Sequence, residues 1–161
     1  LDKKYSPDGG NNWYDYEGPI TVEENTEIIA KLEDEDGQSG EEQTLEITNI
    51  DKILPKIIID PEQTGINNKA ILTITIEEEQ SGLSETNEYE YYLSTNSSTA
   101  EGGEWTGYVP GEEFTIGENI TGIRYIFVKE VKDKAGNESV KASITIPESY
   151  FKKNMKKETH I

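Results

Sequence analysis

Apolar and polar side chains alternate along much of the chain after residue 54. Around residue 74, Leu72, Ile74 and Ile76 fall on one side of an extended segment, with threonines between them. Successive side chains of a strand point to opposite faces, so this period of two predicts strands with one buried and one hydrated face. Runs rich in β-branched and aromatic residues predict strands over 55–60, 70–78, 88–94, 112–117, 124–133 and 140–147.

The predicted strands are short, and Gly, Asn, Ser and Pro separate them. These residues favour turns, and short strands at a spacing of about 10 residues are typical of antiparallel sandwiches. We therefore expect an all-β fold, an immunoglobulin-like sandwich of two antiparallel sheets. Its complete unit is predicted to span residues 51–147.

The chain also contains an internal repeat, which is a sign of tandem modules. A shift of 92 residues places the first tryptophan, Trp13, on the second, Trp105. Further segments repeat at shifts of 94 and 99: TVEEN (21–25) with TIGEN (115–119), and LEDEDGQ (32–38) with VKDKAGN (131–137). Leu1 then corresponds to Leu93, in the middle of the second unit. We expect residues 1–50 to be the C-terminal half of a unit whose first half lies upstream or is supplied by another chain.

Four quoted segments carry a resemblance to a known family: NIDKILP (49–55), EYEYYLS (88–94), EWTGY (104–108) and RYIFVKEVKDKAGNES (124–139). They resemble the tandem bacterial immunoglobulin-like domains of large secreted and cell-surface proteins, with their D-x-A-G-N turn and D-K-x-x-P linker. The resemblance covers roughly residues 1–147, although the first unit has DEDGQ in place of DKAGN. It implies an extracellular location and a non-catalytic spacer role in a stalk or adhesin, with neighbouring repeats as partners.

The DKAGN segment has a physical explanation of its own. Gly136 and Asn137 tolerate positive φ, which a tight reversal between antiparallel strands requires. Asp133 is placed to accept backbone N–H bonds from the turn that follows it. The segment therefore predicts a turn that closes a hairpin, and a metal or ligand loop is the alternative.

Composition narrows the possible partners. The 161 residues include 33 acidic and 15 basic side chains, a formal charge of −18. Such a balance argues against binding to nucleic acid or to an anionic membrane surface, since both need clustered Lys and Arg. No apolar run approaches the roughly 18 to 20 residues that span a bilayer, so no membrane insertion is predicted for this segment.

Candidate catalytic chemistry is sparse. The single histidine, His160, stands in a basic segment, 148–161, which is predicted to be a flexible tail. The chain has no cysteine, so it offers neither a disulfide framework nor a thiolate site for zinc. We therefore predict that the chain is not an enzyme and has no cofactor, with calcium as the one ion to consider.

Calcium prefers six to eight carboxylate and carbonyl oxygens, which acidic loops can supply. The segment 32–43 fails the EF-hand pattern because Leu32 and Gln43 occupy its first and twelfth positions. The candidate ligands lie near the predicted turns and the linker between the units: Asp34, Asp36, Asp51 and Asp133. Solvated acidic loops without an ion are the alternative.

Aromatic residues in the repeated segment suggest a different kind of site. Trp13, Trp105 and Tyr108 are candidates for stacking on a glycan or contacting a host surface protein, and the alternative is that they cap the ends of the cores. A further alternative is a surface fibre in which the incomplete first unit accepts strands from a neighbouring chain.

Overall fold

The structure is a computed structural model that describes residues 1–95, 104–117 and 120–153. The chain forms two compact units, Leu1–Asp51 and Lys52–Ile161. Both consist of antiparallel strands, and the one helical element described is a short 3₁₀ turn. The predicted all-β class with antiparallel sheets is therefore confirmed.

The first unit is a single antiparallel sheet. Its strands are β1 (Asp2–Ser6), β2 (Tyr14–Asp15), β3 (Thr26–Glu33) and β4 (Gln43–Ile47), in the order β2-β1-β3-β4. Tyr5 lies opposite Ala30, and Ile28 lies opposite Leu45. Because cross-strand partners share a face, these residues line one side of the sheet. Ile29 points to the other side and is 7% exposed.

The second unit has two sheets. Its strands are β5 (Lys56–Gln63), β6 (Ala70–Glu77), β7 (Glu90–Ser94), β8 (Thr106–Gly107), β9 (Glu113–Ile116), β10 (Arg124–Val128) and β11 (Ala142–Ile146). One sheet has the order β11-β10-β7-β8, and the other has the order β5-β6-β9. Pro61 lies within β5, which is an edge strand, where the missing N–H costs no ladder bond to a further strand.

The core of this unit lies between its two sheets. Leu72 and Ile74 of β6 are fully buried, as are Ile126 of β10 and Ile146 of β11. All four belong to one cluster of buried apolar side chains, so the arrangement is sandwich-like. Fully burying a side chain of this size contributes roughly 1.5–3 kcal/mol, which makes the cluster the main source of the unit's stability.

The strand predicted over 124–133 is shorter in the structure, because regular pairing ends at Val128. The following residues turn back on themselves: Val131 is fully buried, and its N–H donates to Ser139 Oγ at 2.9 Å. An isolated bridge joins Lys132 to Glu138. The closure of this turn keeps residues 131–133 out of the sheet, although the sequence predicts a strand as far as residue 133.

The start of the predicted tail packs on the second unit. Glu148–Phe151 forms a 3₁₀ helix, and the Phe151 side chain is 2% exposed within the core cluster. Its carbonyl accepts a hydrogen bond from the Asn68 N–H at 2.6 Å, and the Lys153 N–H donates to Asn67 Oδ1 at 2.7 Å. Residues 154–161, including His160, lie outside the described residues.

Candidate functional sites

The DKAGN segment forms a closed turn around the Asp133 side chain. The Gly136 N–H donates to the Asp133 carbonyl at 3.2 Å, and the Asp133 N–H donates to the Asn137 carbonyl at 3.0 Å. The carboxylate accepts the Asn137 N–H at 2.8 Å and the Asn137 Nδ2–H at 2.7 Å. Gly136 has φ +91°, a conformation that suits glycine. The carboxylate thus serves the geometry of the turn.

The first unit has the same turn in the same place. The Gly37 N–H donates to the Asp34 carbonyl at 3.0 Å, and the Asp34 carboxylate accepts the Gln38 N–H at 2.8 Å. The Asp34 carboxylate also accepts the Asp36 N–H at 3.0 Å. Asp34 is half-buried, whereas Asp133 is only 2% exposed. The two turns share a hydrogen-bond pattern even though their sequences, DEDGQ and DKAGN, differ.

Two carboxylates meet in the second unit. Glu78 and Asp133 offer oxygens that lie within 4.8 Å of each other. Glu78 accepts the Gln80 N–H at 3.1 Å and the Gly82 N–H at 3.0 Å, so it also holds a loop. Glu78 lies in an acidic run, 77–79, and the sequence could not single it out because its proximity to Asp133 arises only on folding.

The other candidate calcium ligands, Asp34, Asp36 and Asp51, belong to the first unit. Asp51 is the last residue of the first unit and is 9% exposed. Asp34 and Asp36 share one turn, in which Asp36 is exposed. Neither Asp34 nor Asp36 belongs to a group of three potential metal ligands among the residues that the structure describes. A calcium ion bound at Asp34 would compete with the turn bonds that its carboxylate already accepts.

Each tryptophan is half-buried beneath a lysine. Lys31 Nζ lies 4.0 Å from the centroid of the Trp13 ring, and Lys129 Nζ lies 5.3 Å from that of Trp105. The Trp105 ring also contacts Tyr92, with centroids 5.8 Å apart. An ammonium over an indole face is attracted by the ring quadrupole, so these contacts stabilise the fold and cover part of the surface on which a sugar would stack.

Lys129 is further held by acidic neighbours. Its ammonium donates to Glu90, and to Glu88 at 3.2 Å. The hydrogen bond to Glu90, followed by that to Glu88, raises the pKa of Lys129 above its ordinary value. The lysine above Trp105 is therefore charged at every physiological pH.

Tyr108, the third predicted ligand-binding residue, is a core residue. It is 8% exposed, and its ring centroid lies 5.9 Å from that of Tyr89. Burial, with a smaller contribution from Tyr89, raises the pKa of Tyr108 to about 12. Its hydroxyl is buried and has no hydrogen-bond partner among the described residues. Trp105 and Tyr108 are neighbours in sequence, but only Trp105 presents a ring to the surface.

No protein-family model matches the chain, and no curated protein is significantly similar to it. Among the described residues, no helix is long and apolar enough to cross a membrane.

Proposed function

We propose that the chain is a non-catalytic structural module, in which immunoglobulin-like repeats act as spacers in a secreted or cell-surface bacterial protein. The observation that carries this proposal is the repetition of one scaffold. The order β2-β1-β3-β4 of the first unit is matched by β8-β7-β10-β11 in the second, with an aspartate turn between the last two strands of each. Repeating one scaffold along a chain is a direct way to set a distance.

The placement of the carboxylates supports a non-catalytic role. A general acid or base must be free to exchange a proton with a substrate. Glu78 and Asp133 instead accept backbone N–H bonds from the loops in which they lie. These hydrogen bonds explain the positions of both carboxylates in the second unit without a catalytic role.

The resemblance to bacterial immunoglobulin-like repeats supports an extracellular location, and the chain's composition is compatible with it. A formal charge of −18 favours solubility and disfavours association with anionic surfaces. Neighbouring repeats are the expected partners, because tandem modules meet one another along the chain. Nucleic acid is not an expected partner.

Ligand binding is the second candidate function, and one observation favours it. Trp13 and Trp105 occupy equivalent places in the two units, and both rings are partly exposed. A repeated, accessible indole is the feature that a glycan-binding or host-binding adhesion module needs.

A glycan array, extended with immobilised host surface proteins, separates the two candidates. The chain is compared with Trp13→Ala, Trp105→Ala and, as a matched control, Tyr14→Ala, which removes an aromatic ring that is 50% exposed. A spacer is expected to give no signal that depends on either tryptophan. A saturable signal that both tryptophan variants lose and Tyr14→Ala keeps would replace the spacer proposal with the adhesion module.

A further inference from the structure

The sheet of the first unit has an apolar face that is largely open. Tyr5, Ile28, Ala30 and Leu32 line a groove of about 410 Å³ on this face. Leu32 is 46% exposed, and Leu45, which lies opposite Ile28, is 61% exposed. Exposed apolar side chains gathered on one sheet face mark a surface that binds another element.

The second unit shows what covers the equivalent face. There Ile126 lies opposite Ile144, at the place that Ile28 and Leu45 occupy in the first unit. Ile126 is fully buried, because the sheet β5-β6-β9 packs on it through Leu72 and its neighbours. The two sheets thus share a topology and a pattern of apolar residues. Their apolar face is covered by a second sheet in the second unit and is open in the first.

The first unit also contains a counterpart of β9, the edge strand of the sheet β5-β6-β9. The shift of 94 residues places 20–22 on 114–116, which belong to β9. In the second unit β9 pairs with β6, with Phe114 opposite Leu72. In the first unit residues 16–25 lie outside any strand, and the Ile20 side chain lines the groove. Residues 20–22 therefore have the sequence of an edge strand without its pairing.

We propose that the first unit binds a two-stranded β-hairpin with the chemistry of β5–β6, which covers the apolar face and pairs with residues 20–22. The required partner has a strand with apolar side chains at every second position, like Ala70, Leu72 and Ile74 of β6, facing Ile28 and Leu45. Main-chain bonds to an edge give such binding its affinity, and alternate side chains give it specificity. A second copy of the first unit packed face to face does not meet this requirement, because residues 20–22 would stay unpaired.

The test uses the full chain and a synthetic peptide of residues 54–78 as the hairpin. The chain has no cysteine, so Leu45→Cys provides a single thiol on the face and Thr44→Cys provides one on the opposite side of the same strand. Saturating peptide is expected to slow alkylation of Leu45→Cys at least tenfold and to leave Thr44→Cys unchanged. Amide exchange at residues 20–22 is expected to slow in parallel, with no change in β9.

Where the free peptide aggregates, the same segment fused before Leu1 through a flexible linker replaces it, and the two thiols are compared again. Equal alkylation rates with and without the hairpin would overturn the proposal. Protection confined to the second unit would also overturn it, because it indicates that the added hairpin exchanges with β5–β6 of the chain. Slowing of Leu45→Cys that grows with chain concentration in the absence of peptide, together with dimers in light scattering, would assign the face to a second copy. Because glycans and host proteins play no part here, the result is independent of the array that tests the spacer role.

Discussion

Lys31 Nζ lies 4.0 Å from the centroid of the Trp13 ring, and the same pair recurs in the second unit as Lys129 and Trp105. Lys31 is carried by β3 and Lys129 follows β10, the equivalent strands of the two sheets. The repeat found from the two tryptophans therefore extends to a contact that only the fold could reveal. A packing contact shared by the two units explains why both have a tryptophan at this position without invoking a ligand.

We expect Lys31→Met to lower the free energy of unfolding of the first unit by about 0.5–1 kcal/mol, the usual size of an exposed cation–π contact. Methionine keeps most of the apolar stem and removes the charge. Denaturant titration in a Trp105→Phe background, where Trp13 is the only tryptophan, reports on the first unit. A double-mutant cycle with Trp13→Leu, measured by amide exchange in the first unit because that variant lacks the tryptophan signal, isolates the pair, and a coupling energy near zero would contradict the interpretation.

The two aspartate turns provide a matched comparison. Asp133→Ala leaves the Asn137 N–H and Nδ2–H without their acceptor in a buried place, so the free energy of unfolding is expected to fall by about 1–3 kcal/mol. Asp34→Ala makes the same change in a half-exposed turn, where water can replace the carboxylate, and a loss below about 1 kcal/mol is expected. Chemical denaturation of both variants checks the order, and an equal loss would show that burial is not the deciding factor.

Alternation predicted the core well where a strand has one covered face. Leu72 and Ile74 were assigned to a buried side by their period of two, and both are fully buried. Leu45 and Ile47 alternate with polar residues in the same way, yet Leu45 is 61% exposed. Periodicity identifies the face that prefers burial, but whether a second sheet covers that face depends on other parts of the structure.

The site residues depended more on tertiary structure than on local pattern. Tyr108 and Trp105 lie in one short segment, yet Tyr108 enters the core and Trp105 does not. Glu78 approaches Asp133 across 55 residues of sequence, which no local motif could indicate. The turn at Asp133 was predictable because the hydrogen bonds that close it join Asp133 to Gly136 and Asn137, which are three and four residues away.

Calcium removal tests whether the acidic turns need an ion. The Asp34 and Asp133 carboxylates accept hydrogen bonds from their own turns, and calcium requires six to eight oxygens. We expect the melting temperature of the chain to be the same in millimolar calcium and in excess chelator. A rise of several degrees with calcium would instead establish a site, and comparison of Asp34→Asn, Asp51→Asn and Glu78→Gln would locate it.

The buried hydroxyl of Tyr108 leads to a prediction that removal of a polar group stabilises the protein. The hydroxyl has no partner among the described residues, so Tyr108→Phe removes a desolvated polar atom and keeps the ring. The free energy of unfolding is expected to rise by about 1 kcal/mol. Tyr89→Phe, which changes a half-buried neighbour, is the control. A loss of stability in Tyr108→Phe would show that the hydroxyl is hydrogen-bonded, for example to a buried water.

The raised pKa of Tyr108 predicts how the free energy of unfolding changes in alkali. The pKa of Tyr108 is about 12 in the folded chain, above the ordinary value of 10.0 that applies on unfolding. The unfolded chain therefore releases this proton first, and stability that is complete below pH 10 declines as the pH rises to 12. Tyr108→Phe is expected to lose less stability than the parent chain over this interval, measured by denaturant titration at each pH. Parallel losses in the two proteins would mean that Tyr108 ionises with an ordinary pKa and that its ring is hydrated.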